Sequence, residues 1–417
     1  MIMKELIAQQ ASLAKAAARK MAGLSTEQKN SALLAMADAL EKNKAEIISA
    51  NALDVTSAKE KGTRVNMIDR LTLTPERISA MSEGLRQTAK LEDPIGKEDF
   101  HTERPNGLKI RRVRVPFGVV GIIYEARPNV TVDAAALCLK SGNACVLRGG
   151  SEAIRTNQKL VEILNQAATS VGIPEHAIEF VAITDRDAVV AMCRLRKLID
   201  VIIPRGGAGL IKRVVEHATV PVIETGTGVC HIFVDKSADF KIALPVVLTA
   251  KISRPSVCNA MESLLVHKDI AESFLPQIAK LMIENKVELR GDELSRKICP
   301  EIIPATEEDW ATEYNDLILS VKVVEDIDAA IEHINKYNTL HSEAIITDDK
   351  NSAEKFQTFV DAACVYVNAS TRFTDGFEFG FGAEIGISTQ KPHARGPMGL
   401  EALTTMKYLI DGNGQTR

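Results

Sequence analysis

Short apolar runs alternate with helical patterns through most of this chain, and this alternation restricts the folds that it can adopt. Between residues 117 and 228, runs of strand type lie at 119–123, 144–147, 178–181, 198–203 and 220–223, with helical patterns at 130–139 and 151–170. A second series has strands at 230–234, 264–266, 315–324, 343–346 and 364–368 and helices at 242–252, 270–284 and 327–335. Strands that alternate with helices form mostly parallel sheets covered on both faces. The chain is therefore predicted to be an α/β protein with two parallel-sheet domains.

The segments outside these two series have other patterns. Residues 3–90 are predicted to be helical, with Ser25 as an N-cap followed by acceptors in the first turn, and to form a layer that covers a sheet. At 108–115 charged and apolar residues alternate, which predicts an exposed strand, and 403–410 is a candidate to complete a small sheet with it. The basic strand either pairs with another subunit or carries charge that prevents edge aggregation. We favour subunit pairing.

Composition excludes several classes of function. The 417 residues include 51 basic and 55 acidic side chains, interspersed along the chain, so no electrostatic footprint for nucleic acid or an anionic membrane is present. Small molecules are the expected partners. No apolar run approaches the roughly 18 residues of a membrane span and the N-terminus lacks the apolar block of a signal peptide, so we expect a cytoplasmic protein. Seven cysteines without CxxC pairs suggest neither a disulfide framework nor a metal site.

Three loops are rich in glycine, at 148–151, 205–209 and 224–228. Ligands of parallel sheets bind outside the carboxyl ends of the strands, where such loops are found. The second loop follows an apolar strand and opens a helical pattern. This context suits a pyrophosphate, because Gly206, Gly207 and Gly209 admit close approach and the helix N-terminus offers free N–H groups. A tight turn between strand and helix is the alternative interpretation.

The stretch 251–267 contains the candidate nucleophile, Cys258. Pro255 cannot continue a helix and biases Arg254 towards an extended conformation, so the helix at 242–252 should end before the thiol. An apolar run of strand type follows it. A thiol in a loop beside Arg254 is a candidate nucleophile, since a guanidinium and free amides favour the thiolate. The alternative is a buried cysteine that acts as a small hydrophobic residue, which is the interpretation favoured for most of the other six.

Three features stand in the order found in the aldehyde dehydrogenase family. They are an Asn in a strand-to-helix turn (Arg127-Pro128-Asn129), a Glu before glycines (Glu224-Thr225-Gly226) and the loop cysteine Cys258. More narrowly, the chain resembles the gamma-glutamyl phosphate reductases of proline biosynthesis over essentially its whole length. The residues that carry this resemblance lie at 124–130, 204–207, 253–259, 330–334 and 341–345. One departure is Asn338, which stands where that group usually has Gly or Ser.

The resemblance implies an oxidoreductase that reduces L-glutamyl 5-phosphate to L-glutamate 5-semialdehyde with NADPH and releases phosphate. Cys258 would attack the acyl carbon, and the Asn129 amide and the Cys258 backbone N–H would hold the oxyanion. In relatives that hydrolyse the thioester, the residue matching Glu224 activates water, which would be wasteful here. We therefore place Glu224 near the nicotinamide or in a structural role.

The resemblance also suggests binding residues. Those expected to bind the cofactor are Arg148, Ser151, Gly206, Gly207, Gly209, Glu224 and Glu313. Arg148 and Ser151 stand where many NAD-using relatives have Lys and Glu, and an Arg can bind the 2′-phosphate of NADP that a carboxylate would repel. The residues expected to bind the substrate are Arg127, Arg254, Ser370, Thr371, Arg372 and Ser388. No metal is expected.

The same family has two Rossmann-like parallel-sheet domains and a small β oligomerisation segment. Accordingly, 1–104 and 117–228, with part of 368–400, are assigned to an NADP-binding domain, 229–367 to a catalytic domain, and 105–116 and 401–417 to oligomerisation strands. A homo-oligomer and a glutamate 5-kinase partner are implied. Three alternatives stay open: a non-phosphorylating aldehyde dehydrogenase with Glu224 as base, a non-catalytic NADP-binding scaffold, and a cysteine hydrolase, for which no convincing His partner is apparent.

Overall fold

The computed structural model describes residues 2–125 and 127–417, so Met1 and Ala126, which fall within the predicted first domain, lie outside the described residues. The chain divides into two compact units. The first comprises Met1–Thr225, Gly380–Gly386 and Met398–Arg417, and the second comprises Gly226–Phe379 and Ile387–Pro397. Within the described part of the chain, no helix combines the length and apolar character needed to cross a membrane.

The first unit begins with a helical layer and continues with alternating strands and helices. Its helices are α1 (Ile2–Met21), α2 (Thr26–Lys42), α3 (Lys44–Glu60), α4 (Val65–Leu71), α5 (Pro75–Lys90), α6 (Pro128–Lys140), α7 (Ile154–Ser170), α8 (Asp187–Cys193) and α9 (Ala208–His217). Its strands are β1 (Glu98–Glu103), β2 (Lys109–Pro116), β3 (Val119–Tyr124), β4 (Ala144–Arg148), β5 (Ile178–Phe180), β6 (Val201–Arg205) and β16 (Thr404–Asp411). The predicted N-cap is confirmed, since Ser25 and Gln28 form a reciprocal capping box at the start of α2.

A parallel sheet with strand order β5-β4-β3-β6 forms the centre of the first unit. Strands β3 and β4 are buried along their whole length, as expected for a parallel sheet whose two faces are covered. The chain places β4 and β5 on one side of β3 and β6 on the other. The gap between the carboxyl ends of β3 and β6 is thus the topological switch point, the place where such sheets bind ligands.

The second unit contains a larger parallel sheet with strand order β10-β9-β11-β8-β7-β12-β13. Its strands are β7 (Cys230–Val234), β8 (Met261–His267), β9 (Glu288–Gly291), β10 (Ile303–Pro304), β11 (Ile318–Val324), β12 (Ser342–Ile346) and β13 (Cys364–Val367), with a separate antiparallel pair, β14 (Ile387–Ser388) and β15 (Gly396–Pro397). Its helices are α10 (Phe240–Ile252), α11 (Lys268–Glu284), α12 (Glu293–Ile298), α13 (Ile327–Tyr337) and α14 (Lys350–Phe359). Strands β7, β8 and β12 are fully buried.

The predicted small sheet is present in the first unit, where β2 pairs antiparallel with both β1 and β16. Its role in oligomerisation stays a prediction. One predicted strand is wrong. Residues 220–223 make only an isolated bridge between Val222 and Ile202, so this run, of which Val220 and Ile223 are buried, does not extend the sheet as a strand. The third glycine loop therefore does not follow a strand of the sheet.

Candidate functional site

Cys258 lies in the turn that joins α10 to β8, three residues before the strand begins. Because the sheet of the second unit is parallel, the starts of its strands lie along one edge, and Cys258 stands at that amino edge. Helix α10 ends at Ile252, before the thiol, which confirms the prediction made from Pro255. The expectation that ligands bind beyond the carboxyl ends of strands therefore does not extend to this thiol within its own unit.

Exposure separates Cys258 from the other thiols. All seven cysteines lie in the described part of the chain, and six of them are buried while Cys258 is partly exposed. Burial raises the pKa of the Cys193 thiol to about 11 and also raises the pKa of Cys230 and Cys364. A thiol with a raised pKa is a poor nucleophile at neutral pH. The interpretation of most of the others as buried hydrophobic residues is confirmed.

In Asn259, the residue after the thiol, both the nitrogen and the oxygen of the side-chain amide are hydrogen-bonded. Its nitrogen donates to the carbonyls of Arg372 and Thr374, at 3.2 and 2.9 Å, and its side-chain oxygen accepts from the Arg372 guanidinium. The Thr371 hydroxyl donates to the Asn259 carbonyl at 2.7 Å. Asn259 is buried, so these bonds are made away from water. The turn that carries Cys258 is therefore fixed to the segment 371–374.

A second set of contacts approaches the Cys258 carbonyl. A Cβ atom added to Gly228 would lie 1.5 Å from that oxygen, so only glycine permits this approach. The Cys230 thiol donates to the same oxygen at 3.3 Å. Gly228 is fixed in turn by its N–H, which donates to Glu313 at 2.8 Å. The predicted cofactor residue Glu313 is thus part of the support of the thiol turn.

The surroundings of Cys258 are cationic. Burial lowers the pKa of the Arg372 guanidinium, the neighbouring charge of Arg254 lowers it further, and Cys258 acts in the opposite direction. Arg372 also donates from Nε to the Ser253 hydroxyl at 3.2 Å. Two guanidinium groups near one another are unfavourable unless an anion lies close to both. The structure thus brings the predicted substrate residues Arg254 and Arg372 into the surroundings of Cys258, together with the carboxylate of Asp375, and their role in substrate binding stays a prediction.

The three predicted hydroxyls in this unit differ in what they contact. Ser370 accepts from the Arg372 N–H at 3.3 Å and caps a short 3₁₀ helix. Thr371 is fully buried and bonded to Asn259, so the structure gives it a supporting contact. Ser388, on β14, is fully buried and its hydroxyl has no hydrogen-bond partner. An unpartnered buried hydroxyl is costly, and a ligand group is one way to satisfy it.

In the first unit the glycine loop 205–209 lies at the topological switch point, after β6 and before α9. The Gly207 N–H donates to the Glu125 carboxylate at 2.9 Å. A Cβ added to Gly206 would lie 2.7 Å from the same carboxyl group, so a side chain at this position would displace the Glu125 carboxylate. Gly209 has open space where a side chain would begin. A side-chain anion thus occupies the amide that was predicted to bind pyrophosphate.

The loop after β4 is shaped by packing as well. A Cβ added to Gly149 would lie 2.1 Å from the Asn157 amide nitrogen, so this position requires glycine. Arg148 is buried, its Nη2 donates to the carbonyls of Thr184 and Asp185 at 3.2 and 3.4 Å, and its Nε has no partner. Burial lowers the pKa of Arg148, and the nearby Arg186, which is exposed, adds to this effect. Ser151 is exposed at the start of a 3₁₀ helix.

Asn129 occupies the first turn of α6 and is exposed. Its amide nitrogen donates to the Asp133 carboxyl group at 3.1 Å. Burial raises the pKa of Asp133 to about 6, although the Asn129 amide and Arg205 act against this shift. Arg127 is exposed at the N-cap of the same helix, and Glu224 is partly exposed at the end of the segment that follows β6 and α9. The roles of these residues in catalysis and binding stay predictions.

Several contacts have no signal in the sequence that would have revealed them. Glu125 was part of a recognised motif without a role, and only the fold brings it to Gly207. Lys251 and Glu262 form a fully buried ion pair on either side of the thiol turn. The sequence pattern predicts that Lys251 lies in a helix and that Glu262 lies close to a strand. It does not indicate that the two side chains meet.

Comparison with known proteins identifies the family and the fold of this chain. A family model described as the aldehyde dehydrogenase family matches residues 2–309. The chain is 59% identical over 404 residues to the gamma-glutamyl phosphate reductase of Caldanaerobacter subterraneus subsp. tengcongensis, which covers 97% of this chain and 98% of the relative. It is 57% identical over 417 residues to the gamma-glutamyl phosphate reductase of Clostridium acetobutylicum, with complete coverage of both.

A crystal structure of gamma-glutamyl phosphate reductase from Thermotoga maritima has the same fold, with a TM-score of 0.97 at 50% identity and coverage of 99% of each chain. An acetylating aldehyde dehydrogenase from Geobacillus thermoglucosidasius shares the fold alone, at 17% identity and a TM-score of 0.71. The predicted α/β architecture of two parallel sheets is confirmed. The chain belongs to the aldehyde dehydrogenase family of nicotinamide-dependent oxidoreductases and, within it, to the group of the gamma-glutamyl phosphate reductases.

Proposed function

We propose that this chain reduces L-glutamyl 5-phosphate to L-glutamate 5-semialdehyde with NADPH, releasing phosphate, as a step of proline biosynthesis, and that Cys258 is the nucleophile. The names of relatives at 57 to 59% identity support the reaction. The observation that carries the residue assignment is the state of Cys258. It is the partly exposed member among seven described cysteines, and it stands in a rigid turn beside Arg372 and Arg254.

The acyl-transfer step follows from the charges around the thiol. The thiolate sulfur attacks the acyl carbon, and a C–S bond forms as the bond from carbon to the phosphate oxygen breaks. Phosphate departs as an anion and needs no proton, so the step requires cationic groups more than a general base. Arg254 and Arg372 are the groups that we assign to the phosphate. The Cys258 backbone N–H and the Asn129 amide are the proposed donors to the oxyanion.

The remaining anionic end of the substrate needs further contacts. Its α-carboxylate calls for donors, for which we propose Arg127 and the loops that carry Ser370 and Ser388. Ser388 is supported by its buried hydroxyl without a partner. Thr371 supports the site through Asn259, because its hydroxyl already donates to that carbonyl. After hydride addition, collapse of the tetrahedral oxyanion breaks the C–S bond, releases the aldehyde and returns the Cys258 thiolate.

The nicotinamide cofactor fits the loops of the first unit. Gly149 and Gly206 stand where a side chain would collide with its neighbours, and the amides at the start of α9 lie at the switch point of the sheet. When bound, the nicotinamide supplies the hydride that reduces the thioester. We place the 2′-phosphate of NADP near Ser151 and between Arg148, whose Nε has no partner, and the exposed Arg186. Glu224 and Glu313 are proposed to lie near the nicotinamide end.

Assembly and compartment complete the proposal. Strand β16 is an edge of the small sheet and exposes Tyr408 and Ile410, at 55 and 60% of their surface, so a homo-oligomer that covers this edge is proposed. The acyl phosphate is labile, which favours its transfer from the enzyme that makes it, a glutamate 5-kinase. Seven cysteines without a disulfide are consistent with the reducing cytoplasm.

The reverse reaction tests the proposal. Purified protein is incubated with glutamate 5-semialdehyde and NADP, with and without phosphate, and the reduced cofactor is measured by absorbance. Reduced cofactor should form only with phosphate present. Formation without phosphate would instead indicate a thioester that is resolved by water, with Glu224 as base, and no formation in either case would indicate a non-catalytic protein. Cys258→Ala should abolish turnover, whereas Cys299→Ala, which removes a buried thiol, should leave kcat unchanged.

A further inference from the structure

We propose that the buried ion pair between Lys251 and Glu262 is a positioning device that holds the Cys258 turn in its reactive geometry. This proposal rests on the proposed function, because it assigns the two residues a role through the nucleophile. We use the name brace for the pair Lys251 and Glu262. Neither residue is placed near the substrate or cofactor, so both act through the turn.

The brace joins the two ends of the turn. Lys251 is the penultimate residue of α10, and Glu262 is the second residue of β8. Their side chains meet at 2.5 Å between Nζ and Oε2, and both are at most 1% exposed. Since Cys258 lies between them in the chain, the contact sets the distance that the loop of residues 253–260 must span. A short loop with fixed ends has few conformations available.

The second oxygen of Glu262 extends the brace through space. It accepts the N–H of Asn315 at 3.1 Å, a residue whose backbone has a positive φ of 56°. Two residues earlier, Glu313 accepts the N–H of Gly228 at 2.8 Å, and Gly228 packs against the Cys258 carbonyl. Glu262 is therefore connected to the Cys258 turn in a second way, through its hydrogen bond to the segment 313–315 and through the contact of that segment with Gly228.

Stability alone does not account for a pair of this kind. The cost of removing two charges from water commonly cancels their attraction, so apolar residues of similar volume often give equal or greater stability. Burial lowers the pKa of Lys251 and raises the pKa of Glu262 to about 7. Both shifts mean that removal from water disfavours the charged form of each group. Glu313, Asp316 and Cys230 are the other titratable groups that act on the pair. An apolar replacement would fill the space but would offer no oxygen to Asn315.

The chain also contains a matched control. Lys29 and Asp93 form an ion pair at 2.5 Å in the first unit, with side chains that are 2 and 10% exposed. Lys29 lies on α2 and Asp93 lies in the segment after α5, so that pair joins a helix of the covering layer to the chain that follows this layer. Its removal should affect stability in the same way as removal of the brace, without a path to the thiol turn.

The test compares the double variant Lys251→Met/Glu262→Leu with the control Lys29→Met/Asp93→Leu. Each protein is first examined for its melting temperature and its NADP dissociation constant, and then for kcat in the phosphate-dependent oxidation of glutamate 5-semialdehyde. We expect kcat of the brace variant to fall about 100-fold, the effect of displacing a reacting group by about 1 Å. Its NADP dissociation constant should be unchanged. The control should keep the kcat of the parent.

A milder variant keeps the test decisive if the double variant does not fold. Lys251→Met/Glu262→Gln retains an oxygen for Asn315 and removes both charges, so it should lower kcat less than Lys251→Met/Glu262→Leu does. The alkylation rate of Cys258 by iodoacetamide, measured by peptide mapping, should change in both variants and not in the control. A folded brace variant with kcat within threefold of the parent and unchanged alkylation overturns the proposal. If the parent itself lacks turnover, the proposed function has failed instead, and the alkylation rates still decide whether the brace shapes the turn.

Discussion

The Arg372 guanidinium donates to the side-chain oxygen of Asn259, the residue that immediately follows Cys258. Arg372 therefore acts on the site in two ways: it fixes the turn through Asn259, and it places a positive charge near the thiol. The charge favours the thiolate and an anionic ligand, and the hydrogen bonds favour a single orientation of the turn.

Separating these two effects gives the first prediction. Arg372→Lys keeps the charge but loses the planar donor group, and Arg372→Met loses both. We expect kcat in the semialdehyde assay to fall about tenfold in the Lys variant and about 100-fold or more in the Met variant, from the loss of charge-assisted hydrogen bonds of about 1.5–3 kcal/mol. Arg395→Met, which breaks an ion pair with Asp361 in the same unit, is the control and should keep kcat. Equal activity of all three variants would show that the Arg372 charge is not used.

Gly228 gives a prediction about packing. A methyl group at this position would meet the Cys258 carbonyl, whose oxygen lies 1.5 Å from the ideal Cβ position, so either the turn or the segment 226–229 must move. Gly228→Ala should lower kcat by about 100-fold and the free energy of unfolding by about 1–3 kcal/mol. Kinetic assays and urea unfolding measure the two effects.

Gly84→Ala is the control for this substitution. Gly84 lies within α5 and has open space at its Cβ position, so alanine should raise the free energy of unfolding by up to about 1 kcal/mol and leave kcat unchanged. If Gly228→Ala behaves like Gly84→Ala, the approach of the backbone at Cys258 is not required for activity.

Much of the fold follows from local patterns. Strands β3 and β4 are apolar runs because both of their faces are buried, and such runs are visible without any knowledge of their neighbours, whereas the polar strand β9 and the exposed strand β10 were not predicted. The end of α10 was predictable because proline acts locally. The apolar run at 220–223 shows the limit of this reasoning, since Val220 and Ile223 are buried although the run forms no strand and has only Ile202 as a bridging partner. The polar strand β1 was missed because its side chains are largely exposed.

The candidate site was predictable where one residue carries the chemistry and not where two residues must meet. Cys258 could be chosen from its loop and from the neighbouring Arg254. The bond between Glu125 and Gly207 joins positions 82 residues apart in sequence, and the bond between Asn259 and Arg372 joins positions 113 apart. Such contacts depend on how strands are ordered in each sheet. Residue spacing in one sequence does not contain that order.

Asp133 gives a prediction about pH. Burial raises its pKa to about 6 in the folded chain, above the ordinary value of 3.8. A carboxyl group with a raised folded pKa contributes stability that is fully present below the unfolded pKa and is lost as the pH rises through about 6. Asp133→Asn removes this dependence, so the variant should gain free energy of unfolding relative to the parent at pH 8 and show little or no gain at pH 4.

Urea unfolding at the two pH values measures this difference. The exposed carboxyl of Asp348 provides the control, and Asp348→Asn should have the same small effect at both pH values. The amide of Asn129 donates to Asp133, so kcat of Asp133→Asn also reports on whether that carboxylate orients a donor used in the reaction. A stability difference that does not change between pH 4 and pH 8 would contradict the raised pKa.

Glu125 and the amide of Gly207 lead to a prediction about cofactor binding. The carboxylate occupies an N–H at the start of α9, where a dinucleotide pyrophosphate is proposed to bind. Two anions cannot share this amide, so Glu125 must move when the cofactor enters, and the free enzyme favours its own carboxylate. Glu125→Gln removes the competing charge and should lower the NADP dissociation constant by about two- to fivefold, the range of a single charge at a helix N-terminus.

Glu216→Gln, at the other end of α9, is the control and should leave the dissociation constant unchanged. Titration of NADP into each variant measures the effect, which should shrink at high salt because exposed charges are screened. Weaker binding in Glu125→Gln would mean that this carboxylate contacts the cofactor directly, and the position after β3 would then belong to the binding site as an acceptor for ribose hydroxyls.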